Sequence, residues 1–143
     1  MAALTVVQLQ EILVGSFPDH DVPVVEEVDG DIVVVSLPIT DRHGRPGGTL
    51  SGPAMMTLAD TTAWVAVLAQ VGPVLLAVTT SLHIDFLRKP QIADLVARGR
   101  VLKLGRKLAV IDVELTSRGS SALVAKAQVT YALPSAASLP SSG

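Results

Sequence analysis

The chain has 143 residues, 49% of them hydrophobic and only 3% aromatic, with 11 lysines and arginines against 13 acids. That is one domain by length, large enough for a real core; with no cysteine it has no disulfide framework, zinc–thiolate site or cysteine nucleophile. Charge is uneven: residues 1 to 41 hold eight acids and no lysine or arginine, and all eleven basic residues lie from Arg42 onward against five acids.

The basic part suits either a phosphate-bearing ligand or an acidic edge elsewhere in the fold. Nucleic acid is disfavoured, because the basic residues are not interleaved with aromatics and no recognition motif occurs. The N-terminal residues lack the basic stretch and apolar core of a secretory signal, and a cytoplasmic protein is expected.

In chain order, "LTVVQLQEILVGSFP" carries Val6, Val7, Leu9, Ile12 and Leu13 at helical spacing, which predicts a helix over about 4–15 stopped by Gly15 and Pro18. "PVVEEVDGDIVVVSLPI" reads as two strands around Asp29-Gly30, a good hairpin dipeptide. "TDRHGRPGGTLSG" reads as a loop by its Gly and Pro content.

A second helix is expected over about 52–71, with Ser51 as N-cap, Pro53 in the first turn and Gly72-Pro73 as the stop. Its apolar residues run all the way round, which predicts a helix enclosed by protein. The stretch from Thr61 to Leu82 has no charge and is long enough to span a membrane. "QVGP" near its middle and the strand-like "VTTSLHIDF" that follows argue against a span.

Four strand-like runs follow, over about 75–88, 93–104, 107–117 and 122–133, with turns at Gly105 and Gly119 predicting that the last three form an antiparallel meander. Asp94, Arg98 and Arg100 share one face of the second run, Asp112, Glu114 and Thr116 one face of the third, Lys126, Gln128 and Thr130 one face of the fourth. Side by side these faces alternate in sign, as antiparallel neighbours would. "PSAASLPSSG" reads as a flexible tail over 134–143, leaving a single domain over 1–133. Helix, two strands, enclosed helix and four strands make an α+β fold, one antiparallel sheet wrapped around one long central helix. Its open edges and outer face call for a second copy.

Several chemistries fail on spacing. "GTLSG" has its serine one place late for a nucleophile elbow, and "GGTLSGP" lacks the lysine of a phosphate loop. His20, His43 and His83 have no metal-ligand spacing, so no metal is expected. "FPDHDVP" holds the residue types of a dehydratase without the spacing, and His83 beside Asp85 reads as a surface pair.

Asp60 remains. From Pro53 to Leu82 it is the only ionisable side chain, and a buried, unpaired carboxylate costs several kcal/mol, roughly. Three explanations stand: hydroxyls of Thr57, Thr61 and Thr62 satisfy it, an arginine such as Arg45 or Arg88 pairs with it, or it does chemistry.

"SGPAMMTLADTTAW", with "AVTTSLHIDFLRKP" and "GRKLAVIDVELTSRGSSALVAKAQVTYAL", resembles the hotdog-fold thioesterases of the phenylacetate-degradation type over roughly residues 20 to 133. That family opens its central helix with His-Gly-Gly and carries an acid nine positions later; Ser51, Gly52, Pro53 and Asp60 occupy those places. The resemblance implies hydrolysis of an acyl-CoA thioester to free acid and coenzyme A, with no cofactor. Asp60 would be general base or nucleophile, the Gly52 N–H would polarise the carbonyl, and Thr79 would hold the water or the acid. Ser51, Pro53, Arg45 and Thr80 would stand around the substrate. Arg88, Lys89, Arg106 and Lys107 would meet the coenzyme phosphates, and Met56 and Trp64 the acyl group.

Asp60 lies eight residues beyond Gly52, roughly 12 Å along a helix. One chain cannot apply both groups to one carbonyl. Two antiparallel helices across a two-fold axis could, giving shared sites in a homodimer or homotetramer. A non-catalytic hotdog protein that binds acyl-CoA or another apolar ligand is the alternative.

Overall fold

The computed structural model describes residues 4–16, 22–39, 44–45, 49–74 and 76–134. The expected tail from residue 135 onward, His20, His43 and the side chain of Arg45 lie outside the described residues. Among the described residues, eight strands and two helices follow the expected order, with one addition. Helix α1 spans Val6–Ser16, strands β1 and β2 span Val24–Asp29 and Ile32–Leu37, and helix α2 spans Gly52–Val71. Strands β5 to β8 span Val78–Phe86, Leu95–Leu104, Leu108–Ser117 and Leu123–Ala132. The segment expected to be all loop contains a two-residue antiparallel pair, β3 (Gly44–Arg45) with β4 (Thr49–Leu50).

Six strands form one sheet in the order β1-β2-β6-β7-β8-β5. The meander is present, and its charged rows are in register: Arg98 opposes Glu114, which opposes Lys126, and Arg100 opposes Asp112, which opposes Gln128. Lys126 Nζ stands 3.5 Å from Asp112 and 3.8 Å from Glu114 on the outer face. Alternate residues of these strands face inward; Leu95, Ala97, Ile111, Val113, Ala127 and Val129 are buried under α2.

Helix α2 starts and stops on local chemistry. Ser51 is extended (φ −77°, ψ 148°) and its Oγ accepts the Ala54 N–H at 3.2 Å. Gly72 closes the helix at φ 92°, a conformation costly for other residues, and its N–H reaches the Leu68 carbonyl. The helix has the length and hydropathy of a membrane span, but most of it is buried against the sheet. It is not enclosed throughout, however. Pro53, Met56 and Thr57 are exposed, and Asp60 and Trp64 are half-buried along the same stripe. Apolar residues all round thus serve two surfaces, the sheet on one side and an open stripe on the other.

The two sheet edges differ. At the start of β1, the Gln10 side chain of α1 donates to the Pro23 carbonyl at 3.1 Å and accepts the Val25 N–H at 2.7 Å, so two backbone groups turned away from β2 have partners. Strand β5 pairs with β8 on one side alone, and most of its side chains are exposed.

Candidate active site

Asp60 sits on α2 where β5 begins and β8 ends. Thr79 Oγ1 of β5 donates to Asp60 Oδ1 at 2.7 Å. The Tyr131 hydroxyl of β8 stands 3.0 Å from the same Oδ1 and 3.1 Å from the Asp60 carbonyl oxygen. Thr79 and Tyr131 are cross-strand partners, and a bulge between Thr79 and Ser81 follows directly, aiming the threonine at the helix.

The hydroxyls expected to satisfy the acid are not the ones that do. Thr62 bonds instead to the Leu58 carbonyl at 2.7 Å. Arg88 is committed elsewhere, to the Leu123 carbonyl at 2.8 Å, so it does not neutralise Asp60. The acid's partners come from strands 19 and 71 residues away.

A cleft of about 380 Å³ opens here, with Asp60, Thr79 and Tyr131 as its polar wall and Trp64, Ala77 and Val78 as its apolar wall. Ser16, the last residue of α1, closes one side. Tyr131 is buried, and its phenol is pushed well above the ordinary tyrosine range, first by burial and then by the charge of Asp60. It is therefore a protonated donor at every physiological pH.

The remaining expected site residues fall at the other end of the sheet or outside the cleft. Gly52 begins α2, where the first N–H groups have no intrahelical partner and carry the positive end of the helix dipole. A Cβ on Gly52 would lie 3.6 Å from Phe86 Cζ, so the exposed Phe86 ring flanks the helix start. The hydroxyl of Ser51 is the helix cap, and Pro53 stands exposed beside it. Thr80 does not line the cleft; its hydroxyl bonds to the Thr130 carbonyl at 3.2 Å.

The four basic residues do not form one patch within a chain. Arg88 bonds back to β8 at Val124, and Lys89 follows it. Lys107 meets Leu133, at the other end of β8, with Arg106 beside it in the β6–β7 turn. The length of chain along β8 between Val124 and Leu133 is roughly 30 Å. Arg106 and Lys107 belong to the Asp60 end, Arg88 and Lys89 to the Gly52 end. Among the described residues, no three His, Asp or Glu side chains gather as a metal site.

Tyr131, Phe86 and Ser16 were not singled out by the sequence. Tyr131 is the chain's single tyrosine, at an inward-facing place in the last strand. A buried tyrosine needs a partner for its hydroxyl, and that requirement was the available signal.

The profile of the thioesterase superfamily matches residues 47–131. A candidate esterase of Pseudomonas aeruginosa is 35% identical over 103 residues, 71% of this chain and 75% of its own length. Among solved structures, a candidate thioesterase from Silicibacter sp. superposes with a TM-score of 0.86 at 39% identity over 94% of both chains. The phenylacetic acid degradation protein PaaI of Thermus thermophilus superposes at 0.68 with 28% identity, over 78% of this chain and 93% of its own. On the matched residues and the shared hotdog fold, the chain belongs to the thioesterase superfamily and is a hydrolase of thioesters.

Proposed function

We propose that the chain hydrolyses an acyl-CoA thioester at sites shared between two copies, with Asp60 from one and the Gly52 helix start from the other. The observation that carries this is the separation of the two half-sites. Asp60, Thr79 and Tyr131 cluster at one end of the helix–sheet unit, and Gly52 with Phe86 at the other. General base and carbonyl donor must each come within about 3 Å of one thioester. A two-fold axis between the half-sites brings them together and creates two sites at once.

Two further features support the pairing. Strand β5 is the edge without a side-chain cover, and α2 leaves the stripe Pro53, Met56, Thr57, Asp60 and Trp64 uncovered beside it. The same axis would bring Arg88 and Lys89 of the second copy toward Arg106 and Lys107, making one basic rim for the coenzyme phosphates.

In the reaction, Asp60 Oδ2 takes a proton from water as its oxygen adds to the thioester carbon. The Gly52 N–H holds the resulting oxyanion. The C–S bond then breaks, and the thiolate takes the proton back from Asp60, leaving carboxylic acid and thiol. Attack by Asp60 itself would pass through an anhydride that water then opens. Trp64 and Val78, with Met56 and Phe86 of the second copy, would enclose the acyl group.

The decisive experiment mixes two inactive variants. Asp60→Ala removes the acid. Gly52→Pro removes the N–H and is favoured at a first helical position after the extended Ser51, but Pro53 restricts the residue before it, so thermal unfolding and circular dichroism check that the helix start survives. Each alone should fail on a panel of acyl-CoAs varied in length and aromaticity. Random mixing should restore about a quarter of wild-type activity, since half the dimers then carry one intact site. No restoration would overturn the shared site. Trp64, the chain's one tryptophan, reports binding by its fluorescence. Asp60→Ala that still binds but does not turn over supports the enzyme reading. A wild type that binds acyl-CoA without cleaving it favours the ligand-binding alternative.

A further inference from the structure

We propose that Tyr131 is a positioning residue: with Thr79 it ties down Asp60 Oδ1 and leaves Oδ2 as the single oxygen that reacts. This rests on the thioesterase reading of the site above.

Both hydroxyls converge on the same carboxylate oxygen, Thr79 at 2.7 Å and Tyr131 at 3.0 Å. Among the described residues, Oδ2 has no such partner. A carboxylate on a helix can turn about two side-chain torsions, and exchanging its oxygens requires only the second. Two donors fixed on one oxygen from different strands block that exchange.

Both donors are held rigidly. Tyr131 stands in the middle of a three-strand ladder, opposite Thr79 on one side and Ala109 on the other. Thr79 is β-branched, with restricted torsion about its first side-chain bond, and the bulge that follows sets its direction. Tyr131 is 4% exposed, so water does not compete for its proton. The single phenolic proton is shared between Oδ1 and the Asp60 carbonyl oxygen, 3.1 Å away, which ties the side-chain anchor to the helix backbone.

Such an arrangement acts on chemistry rather than on substrate affinity: Tyr131 lines the cleft, but its hydroxyl is committed to Asp60. Tyr131→Phe keeps the ring and loses only the hydroxyl. It should lower kcat about tenfold with KM within about twofold. Thr79→Val should do the same, and Thr79→Ser should restore the rate. The double variant should lose much less than the product of the single losses, because the first deletion already frees the carboxylate.

A second readout needs no turnover. The carboxylate stretch of Asp60, identified in the infrared by its loss in Asp60→Asn, should shift and broaden in Tyr131→Phe. An unchanged band together with kcat within about twofold of wild type would overturn the proposal. A wild type that cleaves no thioester would instead sink the proposed reaction, with the infrared comparison still deciding the anchor. Retained thermal unfolding in Tyr131→Phe separates both outcomes from a folding defect.

Discussion

Gly99 of β6 faces Thr62 of α2 at a close approach of helix and sheet: a Cβ built on Gly99 would stand 2.9 Å from Thr62 Cγ2 and 3.3 Å from Val33 Cγ2. Both neighbours are buried and β-branched, so neither can swing aside. Gly99→Ala should therefore destabilise the fold by about 1–3 kcal/mol through overpacking. Denaturant midpoints would read this, and a variant as stable as wild type would mean that the helix rides more loosely than described.

The N-cap of α2 offers a smaller, separate effect. Ser51→Ala deletes the acceptor for the Ala54 N–H and should cost about 1 kcal/mol; Ser51→Asp should retain most of it. Thermal unfolding of the three proteins checks the order. If Ser51 also contacts the thioester, Ser51→Asp will be stable yet slow.

Alkaline pH should expose the anchor under Asp60. An unfolded tyrosine ionises near about pH 10, while buried Tyr131 keeps its proton well above that. Its contribution to stability is complete below the unfolded value and is lost as pH rises through the folded one. Between the two, stability should fall by up to about 1.4 kcal/mol per pH unit. Tyr131→Phe lacks this slope, so the two proteins' urea midpoints should converge as pH rises. Parallel curves would place the phenol in water.

The axis implied by the half-sites can be located. Gly52 lies against Phe86, and Asp60 against Thr79, so exchanging the two ends turns β5 about a point midway between residues 79 and 86, at Leu82–His83. His83 is exposed there, and the chain has no cysteine of its own. His83→Cys should form a disulfide between two copies under mild oxidation. Asp85→Cys should not, since its copies would stand roughly 17 Å apart, beyond the span of a disulfide. Equal behaviour of the two variants would move the axis.

Acid should loosen one outer contact. The Arg118 guanidinium, with Ser36, holds the Glu26 carboxyl below its ordinary range. That contribution is present above the unfolded value and is lost as pH falls through the folded one. Both side chains are well exposed, so Glu26→Gln should change stability by no more than about 0.5 kcal/mol at neutral pH.

What the sequence revealed and what it hid follow one physical line. The bounds of α2 were legible because cap, proline and glycine–proline stop are local signals. The meander was legible because Arg98, Glu114 and Lys126 recur at alternate places and must match in sign when adjacent. The place of β5 beside β8, rather than beside the strand that follows it, is set by chain crossover, which no short window encodes. Tyr131 was hidden for the same reason: it meets Asp60 across 71 residues and reads as one more inward-facing strand residue. The exposed stripe of α2 misled, because apolar residues on every side look the same whether they bury against a sheet or stand open for another copy. The separation of Arg106 and Lys107 from Arg88 and Lys89 likewise depends on strand direction, which sequence proximity to a turn does not give.

Gln10 has a consequence for how many copies can join. A sheet with two usable flanks can recruit strands at both and lengthen without limit, the route to fibres. Here the start of β1 already has two outward groups, the Pro23 carbonyl and the Val25 N–H, bonded to a glutamine amide. If two copies join along β5 as proposed, the remaining flank is used up, and the Gln10 amide at β1 would hinder further lengthening of the sheet.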